Sequence, residues 1–186
     1  MKYLVVGLGN IGAEYANTRH NIGFMIADRL AEKFKCTFES ERQAFVTEFK
    51  HKGRSIHLIK PTTYMNLSGK AVRHWMNQLK IPQDNLLVLV DDLALPFGTL
   101  RMRAKGSDAG HNGLKNIQEL LGNNKYPRLR FGIGDSFSKG KQIDYVLGDF
   151  DKKEQEELEI FIEKSCDMVL SFASIGIQRT MTTYNN

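Results

Sequence analysis

Apolar residues fall into short blocks along the chain, and changes in their spacing mark the elements. Tyr3-Leu4-Val5-Val6 is a β-branched run closed by Gly7, the pattern of a buried first strand. Helical spacing then begins only at Ile22, with Met25, Ile26 and Leu30 on the same stripe, and fades near Lys35. Alternation over Ala44 to Phe49 and Ser55 to Ile59 predicts two strands, joined by the turn His51-Lys52-Gly53-Arg54 and stopped at Pro61. A helix is expected from Ser68 to Leu79, with Ala71, Val72, Trp75, Met76 and Leu79 on one face. Leu86-Leu87-Val88-Leu89-Val90 is apolar without alternation, as in a central strand covered on both faces, and it stops at Asp91-Asp92. A strand over Thr99 to Arg103, a loop over Lys105 to Gly113 and a helix through Leu121 follow. Leu129 to Ile133 reads as another strand, and Lys152 to Ser174 as a last amphipathic helix. Alternating strands and helices give an α/β class, a central sheet flanked by helices. Neither repeats nor linkers divide the 186 residues, so a single domain over 1–186 is expected.

Composition narrows the classes. With 41% hydrophobic and 25% charged residues the chain is that of an ordinary globular protein, and no apolar run reaches the roughly 18 residues of a membrane span. The first residues lack the apolar stretch of a signal peptide, so a cytoplasmic protein with no membrane contact is expected. Cys36 and Cys166 have neither metal-ligand spacing nor a disulfide framework and read as buried thiols. Net charge is +5, unevenly distributed: residues 149–186 carry four basic and eight acidic side chains, leaving the rest of the chain strongly basic. Such a body suits a polyanion, nucleic acid included. Between Arg101 and Lys141 nine basic residues face three acidic ones, a candidate phosphate patch.

Gly7-Leu8-Gly9-Asn10-Ile11-Gly12 matches the dinucleotide fingerprint GxGxxG. The fingerprint requires a helix to open at once, because the helix N-terminus holds the pyrophosphate, and here a polar stretch through Asn21 intervenes. The acidic residue expected after a second strand is also missing, since Asp28 lies inside the helical pattern. The glycines are better read as a tight turn with close backbone approach.

That polar stretch contains Glu14, Tyr15, Asn17, Thr18, Arg19, His20 and Asn21. An imidazole can take a proton near neutral pH and return it within one turnover, which makes His20 a candidate base. Asp91 stands at the C-terminal end of the central strand, the edge where open α/β sheets place their sites, and a carboxylate there would orient the ring. Asp92 is an equal rival by sequence. No GxSxG elbow is present, which points to water as nucleophile. Asn10, Asn21, Asn66 and Asn112 all sit at element boundaries, where asparagine caps helices, and neutral amides can also hold an ester carbonyl or a ribose. His51, His57 and His74 have no visible partner and are read as structural.

Six separated blocks together resemble bacterial peptidyl-tRNA hydrolase from end to end. They are Val6 to Asn10, Tyr15 to Gly23, Lys60 to Gly69, Asp91 to Leu93 with Leu95 to Gly98, Lys105 to Ser107 with Gly110 to Lys115, and Arg128 to Gly134. The resemblance implies hydrolysis of the ester between a peptide and the 3′-terminal ribose of tRNA, by a monomer with no metal or cofactor. It implies a twisted, mostly parallel mixed sheet between helices, of the phosphorylase/hydrolase-like kind. Residue by residue, it makes His20 the general base and Asp91 the group that holds its tautomer. Asn10 would bond the peptide main chain beside the ester, and Asn66 and Asn112 would position the substrate end and the water. Tyr15 and Tyr64 would line the tRNA 3′ end, and Arg103 and Arg130 would clamp the 5′-phosphate. Ile11 stands where the family usually has proline, Ala94 where an acidic residue is frequent, and Arg103 where some members have lysine.

Overall fold

A computed structural model describes residues 1–185. Seven strands form one sheet: β1 (Lys2–Gly7), β2 (Glu39–Glu41), β3 (Ala44–His51), β4 (Arg54–Pro61), β5 (Leu86–Asp92), β6 (Leu100–Arg103) and β7 (Arg128–Gly132). Their order across the sheet is β2-β3-β4-β1-β5-β7-β6. The pairs β4-β1, β1-β5 and β5-β7 are parallel, and the pairs at the two sides, β2-β3, β3-β4 and β6-β7, are antiparallel. The helices are α1 (Ile22–Lys33), α2 (Ser68–Leu79), α3 (Asn112–Leu121), α4 (Gln142–Val146), α5 (Lys152–Ile175) and α6 (Ile177–Tyr184). No described helix is long and apolar enough to cross a membrane.

The centre is parallel because its connections carry helices, and both faces of the sheet are therefore covered. On one face, Val5, Leu87 and Leu89 pack with Ile22, Ile26 and Leu30 of α1 and with Met168, Val169 and Phe172 of α5. On the other, Leu4, Val6, Val88 and Val90 pack with Val72 of α2 and Leu114 and Ile117 of α3. The glycine turn after β1 serves this packing. A Cβ on Gly7 would lie 2.2 Å from the Gly23 carbonyl oxygen, so α1 reaches β1 only because both positions lack side chains. Between them the chain makes two short 3-10 turns, Ala13–Tyr15 and Arg19–Asn21, rather than the helix a dinucleotide site needs.

Helix α5 starts where Asp151 and Glu154 form a reciprocal capping box. Three elements, β2, α4 and α6, lie outside those expected from the sequence. β2 is three exposed residues whose charges cover the sheet edge, and α6 is a short helix followed by Asn185, whose side chain exchanges 2.9 Å hydrogen bonds with both backbone groups of Met102 on β6. Cys166 is buried, with its thiol pushed up to about 12 by desolvation, whereas Cys36 is only half-buried, which corrects the expectation of two buried thiols.

Candidate active site

The C-terminal ends of β1 and β5 lie side by side, Gly7 in register with Leu89, which brings the polar loop after β1 to the end of the central strand. Strand parity then separates the two aspartates. Residues 87, 89 and 91 share one face, and Leu87 and Leu89 pack against α1, so Asp91 emerges toward the entry to that helix. Asp92 has the parity of Val88 and Val90 and points the other way. There it accepts from the Ala94 amide at 2.8 Å and from Arg130 Nη1 at 3.2 Å.

The polar loop is closed by Asn21. Its Oδ1 accepts from the Asn10 backbone amide at 2.8 Å and its Nδ2 donates to the Asn10 carbonyl at 2.9 Å, like a rung of a sheet. Arg19 anchors the loop to the C-terminal part of the chain. Its guanidinium lies 4.0 Å from the Tyr145 ring centre and bonds Glu154 at 3.0 Å, and its amide donates to Gly148 at 3.0 Å. His20 is thereby held between two fixed neighbours.

His20 Nδ1 is 2.8 Å from Asp91 Oδ2, and His111 Nε2 is 2.8 Å from Asp91 Oδ1. His111 is also the N-cap of α3: its Nδ1 accepts from the amides of Gly113 at 3.1 Å and Leu114 at 3.4 Å. A nitrogen that accepts from backbone N–H carries no proton, so the His111 proton sits on Nε2 and is donated to Asp91. The other carboxylate oxygen then accepts from His20 Nδ1–H. Nε2 of His20 has no hydrogen-bond partner among the described residues, and its lone pair is free. Burial opposes charge on both partners. It works to lower the His20 value, but the negative charge and hydrogen bond of Asp91 win and the imidazole titrates above its ordinary value. It works to raise the Asp91 value, but His20 and His111 hold that carboxyl well below the usual range.

The donor atoms of His20, Asp91 and His111 lie within 4.8 Å of one another, a set able to ligate a metal. Tetrahedral bonds of about 2.1 Å would separate ligand atoms by roughly 3.4 Å. The 2.8 Å contacts found here are hydrogen-bond lengths, and the His111 nitrogen opposite Asp91 is the protonated one.

His20, Asp91, His111 and Asn112 open onto a cavity of about 340 Å³, with Arg130 on its wall and Phe137, Ile143 and Val146 as its apolar side. Asn10 does not line it and is held instead by Asn21 and Met65. Met65 N–H donates to Asn10 Oδ1 at 2.8 Å, which fixes the amide with its NH₂ group pointing away from that contact. An imidazole with a free lone pair, an orienting carboxylate and the neutral amide of Asn112 on one cavity make up the equipment for adding water to an ester.

A family model described as peptidyl-tRNA hydrolase matches residues 4–186. The peptidyl-tRNA hydrolase of Cytophaga hutchinsonii is 56% identical over 185 residues, covering 100% of this chain and 98% of that protein. The one of Porphyromonas gingivalis is also 56% identical, with all of both chains covered. The chain belongs to the peptidyl-tRNA hydrolase family. Its backbone also follows the crystal structure of peptidyl-tRNA hydrolase from Acinetobacter baumannii with a TM-score of 0.93 at 32% identity, covering 98% of this chain and 94% of that one.

In this member of the family the residues singled out by sequence are distributed unevenly. His20, Asp91, Asn112 and Arg130 share the cavity. Asn66 is exposed in the turn Met65–Leu67, adjoining the Met65 amide that holds Asn10. Tyr64 is 51% exposed with a φ of 62°, and Tyr15 is half-buried at the end of the first 3-10 turn, neither of them lining the cavity. Arg103 is exposed on β6 and lines, with Arg101, Lys105 and Arg130, a neighbouring hollow of about 260 Å³. The patch of basic residues is narrower than its sequence span, because Arg128 is fully buried.

The capping reading of the asparagines does not hold. His111 caps α3, Asn112 is the first residue of the helix, Asn66 makes no cap bond, and Asn21 uses its amide on Asn10. His111 is a cavity residue that sequence left without a role. Its signal was available in Gly110-His111-Asn112-Gly113 at a helix start, but the carboxylate it meets is supplied by a distant strand.

Proposed function

We propose that His20 is the general base of the peptidyl-tRNA ester hydrolysis for which the family is named. Asp91 serves as its orienting carboxylate. The observation that carries the reading is the pair of 2.8 Å contacts on Asp91, one from each imidazole, which leave His20 Nε2 free beside the cavity. A water on Nε2 gives up its proton as its oxygen attacks the ester carbonyl carbon. The imidazolium is stabilised by Asp91, and the tetrahedral oxyanion is met by neutral amide donors, with Asn112 on the cavity wall. Collapse breaks the bond to the ribose oxygen, which takes the proton from His20. The products are a free peptide acid and tRNA with its terminal hydroxyl restored.

Asn10 supplies the selectivity. Its Oδ1 is occupied by the Met65 amide, so its NH₂ group is the part offered to substrate. A peptidyl group presents a main-chain carbonyl next to the reacting residue, and an unblocked aminoacyl group presents an ammonium there. The acceptor end of tRNA lies toward Arg101, Arg103 and Arg130, Tyr15 and Tyr64 flank its 3′ end, and Asn66 steadies the substrate. The enzyme acts in this reading as a cytoplasmic monomer.

The test is release of labelled acyl group from N-acetyl-aminoacyl-tRNA and from its unblocked counterpart. Wild type is expected to hydrolyse the blocked substrate selectively. His20→Ala is expected to fold normally and lose about 10²- to 10⁴-fold in kcat. Retained turnover in that variant would move the base elsewhere.

A further inference from the structure

A second concave surface lies on the rim that carries the site, on the side away from Arg103. Strand β4 runs parallel to β1, so Pro61 ends it at the rim where Gly7 ends β1. β3 is antiparallel with Ala44 opposite Pro61, which returns the turn at Arg42 and Gln43 to that same rim, two strands from β1. At about 4.8 Å per strand the displacement is roughly 10 Å. The hollow formed there with α2 holds about 390 Å³ and is lined by Arg42, Gln43, Lys70, Arg73, His74 and Asn77. Lys70, Arg73, His74 and Asn77 recur at three- and four-residue spacing, a single stripe of the helix. Trp75 Nε1 donates to the Arg42 carbonyl at 2.8 Å and pins the turn to the helix, which leaves the Arg42 side chain to the hollow.

This cluster is unpaired. Arg29, Lys33 and Lys60 have carboxylate partners, but among the described residues Arg42, Lys70 and Arg73 have none, although all three are exposed. Three cations held around one concavity without a counter-charge form a site for anionic groups. Position decides which anions. With the acceptor end placed as proposed above, an ester seated at His20 has its ribose on the side of β7 and β6, where Arg101, Arg103, Lys105 and Arg130 gather. Its acyl side then faces Asn10, Asn66 and the start of α2. From Asn66 to Arg73 is seven residues of largely helical chain, about 10 Å, the span of an extended peptide of three residues.

We propose that the hollow is a subsite for acidic side chains of the peptidyl group, about three to five residues from the ester. The inference rests on the placement of the ester at His20. Glutamate or aspartate at those positions would meet two or three cations, while the reacting carbonyl is unaffected. Affinity therefore changes and turnover does not.

The experiment compares two N-acetylated pentapeptidyl-tRNAs on the same tRNA, one with Glu and one with Gln at the third to fifth residues from the ester. The wild-type KM is expected to be about three- to tenfold lower for the Glu substrate at equal kcat, with the gap closing as salt is raised. Arg42→Glu combined with Arg73→Glu, both exposed positions, is expected to abolish or invert the preference. It should leave kcat on the Gln substrate, inhibition by deacylated tRNA and the melting temperature unchanged. Equal KM values in wild type would overturn the proposal. So would a double variant that loses affinity for deacylated tRNA in parallel, which would make the hollow a contact for tRNA phosphates. Equilibrium binding of both substrates to His20→Ala reads the same ratio without turnover, so failure of the His20 assignment and failure of the subsite register separately.

Discussion

Replacing Asp91 by Asn tests the site at its centre, because the change alters hydrogen-bond direction at constant shape. The carboxylate is 5% exposed and accepts from two imidazole N–H groups. An amide can accept from only one, and its NH₂ must face the other. His111 cannot adapt, since its Nδ1 is committed to the Gly113 and Leu114 amides and its proton must stay on Nε2. The Asn oxygen therefore turns to His111 and the NH₂ to His20. The opposite flip would set N–H against N–H and leave a buried donor unmet, at about 1–3 kcal/mol. His20 Nδ1 becomes an acceptor and its proton moves to Nε2, the atom that the proposed mechanism needs bare to take a proton from water. An inverted tautomer of this kind costs a catalytic triad about 10⁴ in kcat. A loss of about 10³- to 10⁴-fold in release of labelled peptide is expected, with the fold intact by circular dichroism. The pH profile gives a second reading. Asp91 holds the His20 value above normal, so with His20 as base wild-type activity is expected to fall as pH drops through that raised value. In Asp91→Asn the raising influences vanish, burial alone remains, and the acid limb of kcat/KM moves to lower pH. A loss under tenfold, or an acid limb that stays in place, would show that Asp91 does not set the His20 tautomer.

Asn10→Asp keeps an acceptor for the Met65 amide but replaces the NH₂ donor by a carboxylate oxygen. Its melting temperature should stay near wild type while kcat/KM for N-acetyl-aminoacyl-tRNA falls about 10- to 100-fold, the loss of one hydrogen bond plus repulsion of a carbonyl. Arg128 is fully buried and donates to the carbonyls of Tyr126, Gly106, Ser107 and Asn124, tying the loop that leads to His111 onto β7. Arg128→Met keeps the apolar stem and strands those carbonyls. It is expected to destabilise the fold by about 2–4 kcal/mol in urea and to speed proteolysis between residues 104 and 111. A lysine there, a point donor in place of a planar fork, should recover little of the loss.

Periodicity alone determined most of the elements. The helix expected over Ser68 to Leu79 has those bounds in the structure, and the runs at Leu4, Leu87 and Leu129 are neighbouring strands, because burial on both faces leaves an unbroken apolar signature. The delayed start of helical spacing at Ile22 also separated the glycine turn from a dinucleotide fold, and His20 and Asp91 were legible as candidates from residue type and place at element ends. Other features needed the tertiary structure. An apolar run with no alternation conceals which face each residue takes, so the choice between Asp91 and Asp92 waited on the packing of Leu87 and Leu89 against α1. The short charged strand β2 has no period of its own and exists because β3 offers it an edge, and α6, although Ile177, Met181 and Tyr184 form a helical stripe, is placed by the core that stripe covers and by the bonds of Asn185 to β6. The placing of His111 against Asp91, the turn of the Asn10 amide toward Met65 and the burial of Arg128 all join residues distant in sequence. A linear pattern records the preference of each segment for water or core. The direction in which a polar group spends its hydrogen bonds is set by the partners that folding brings to it.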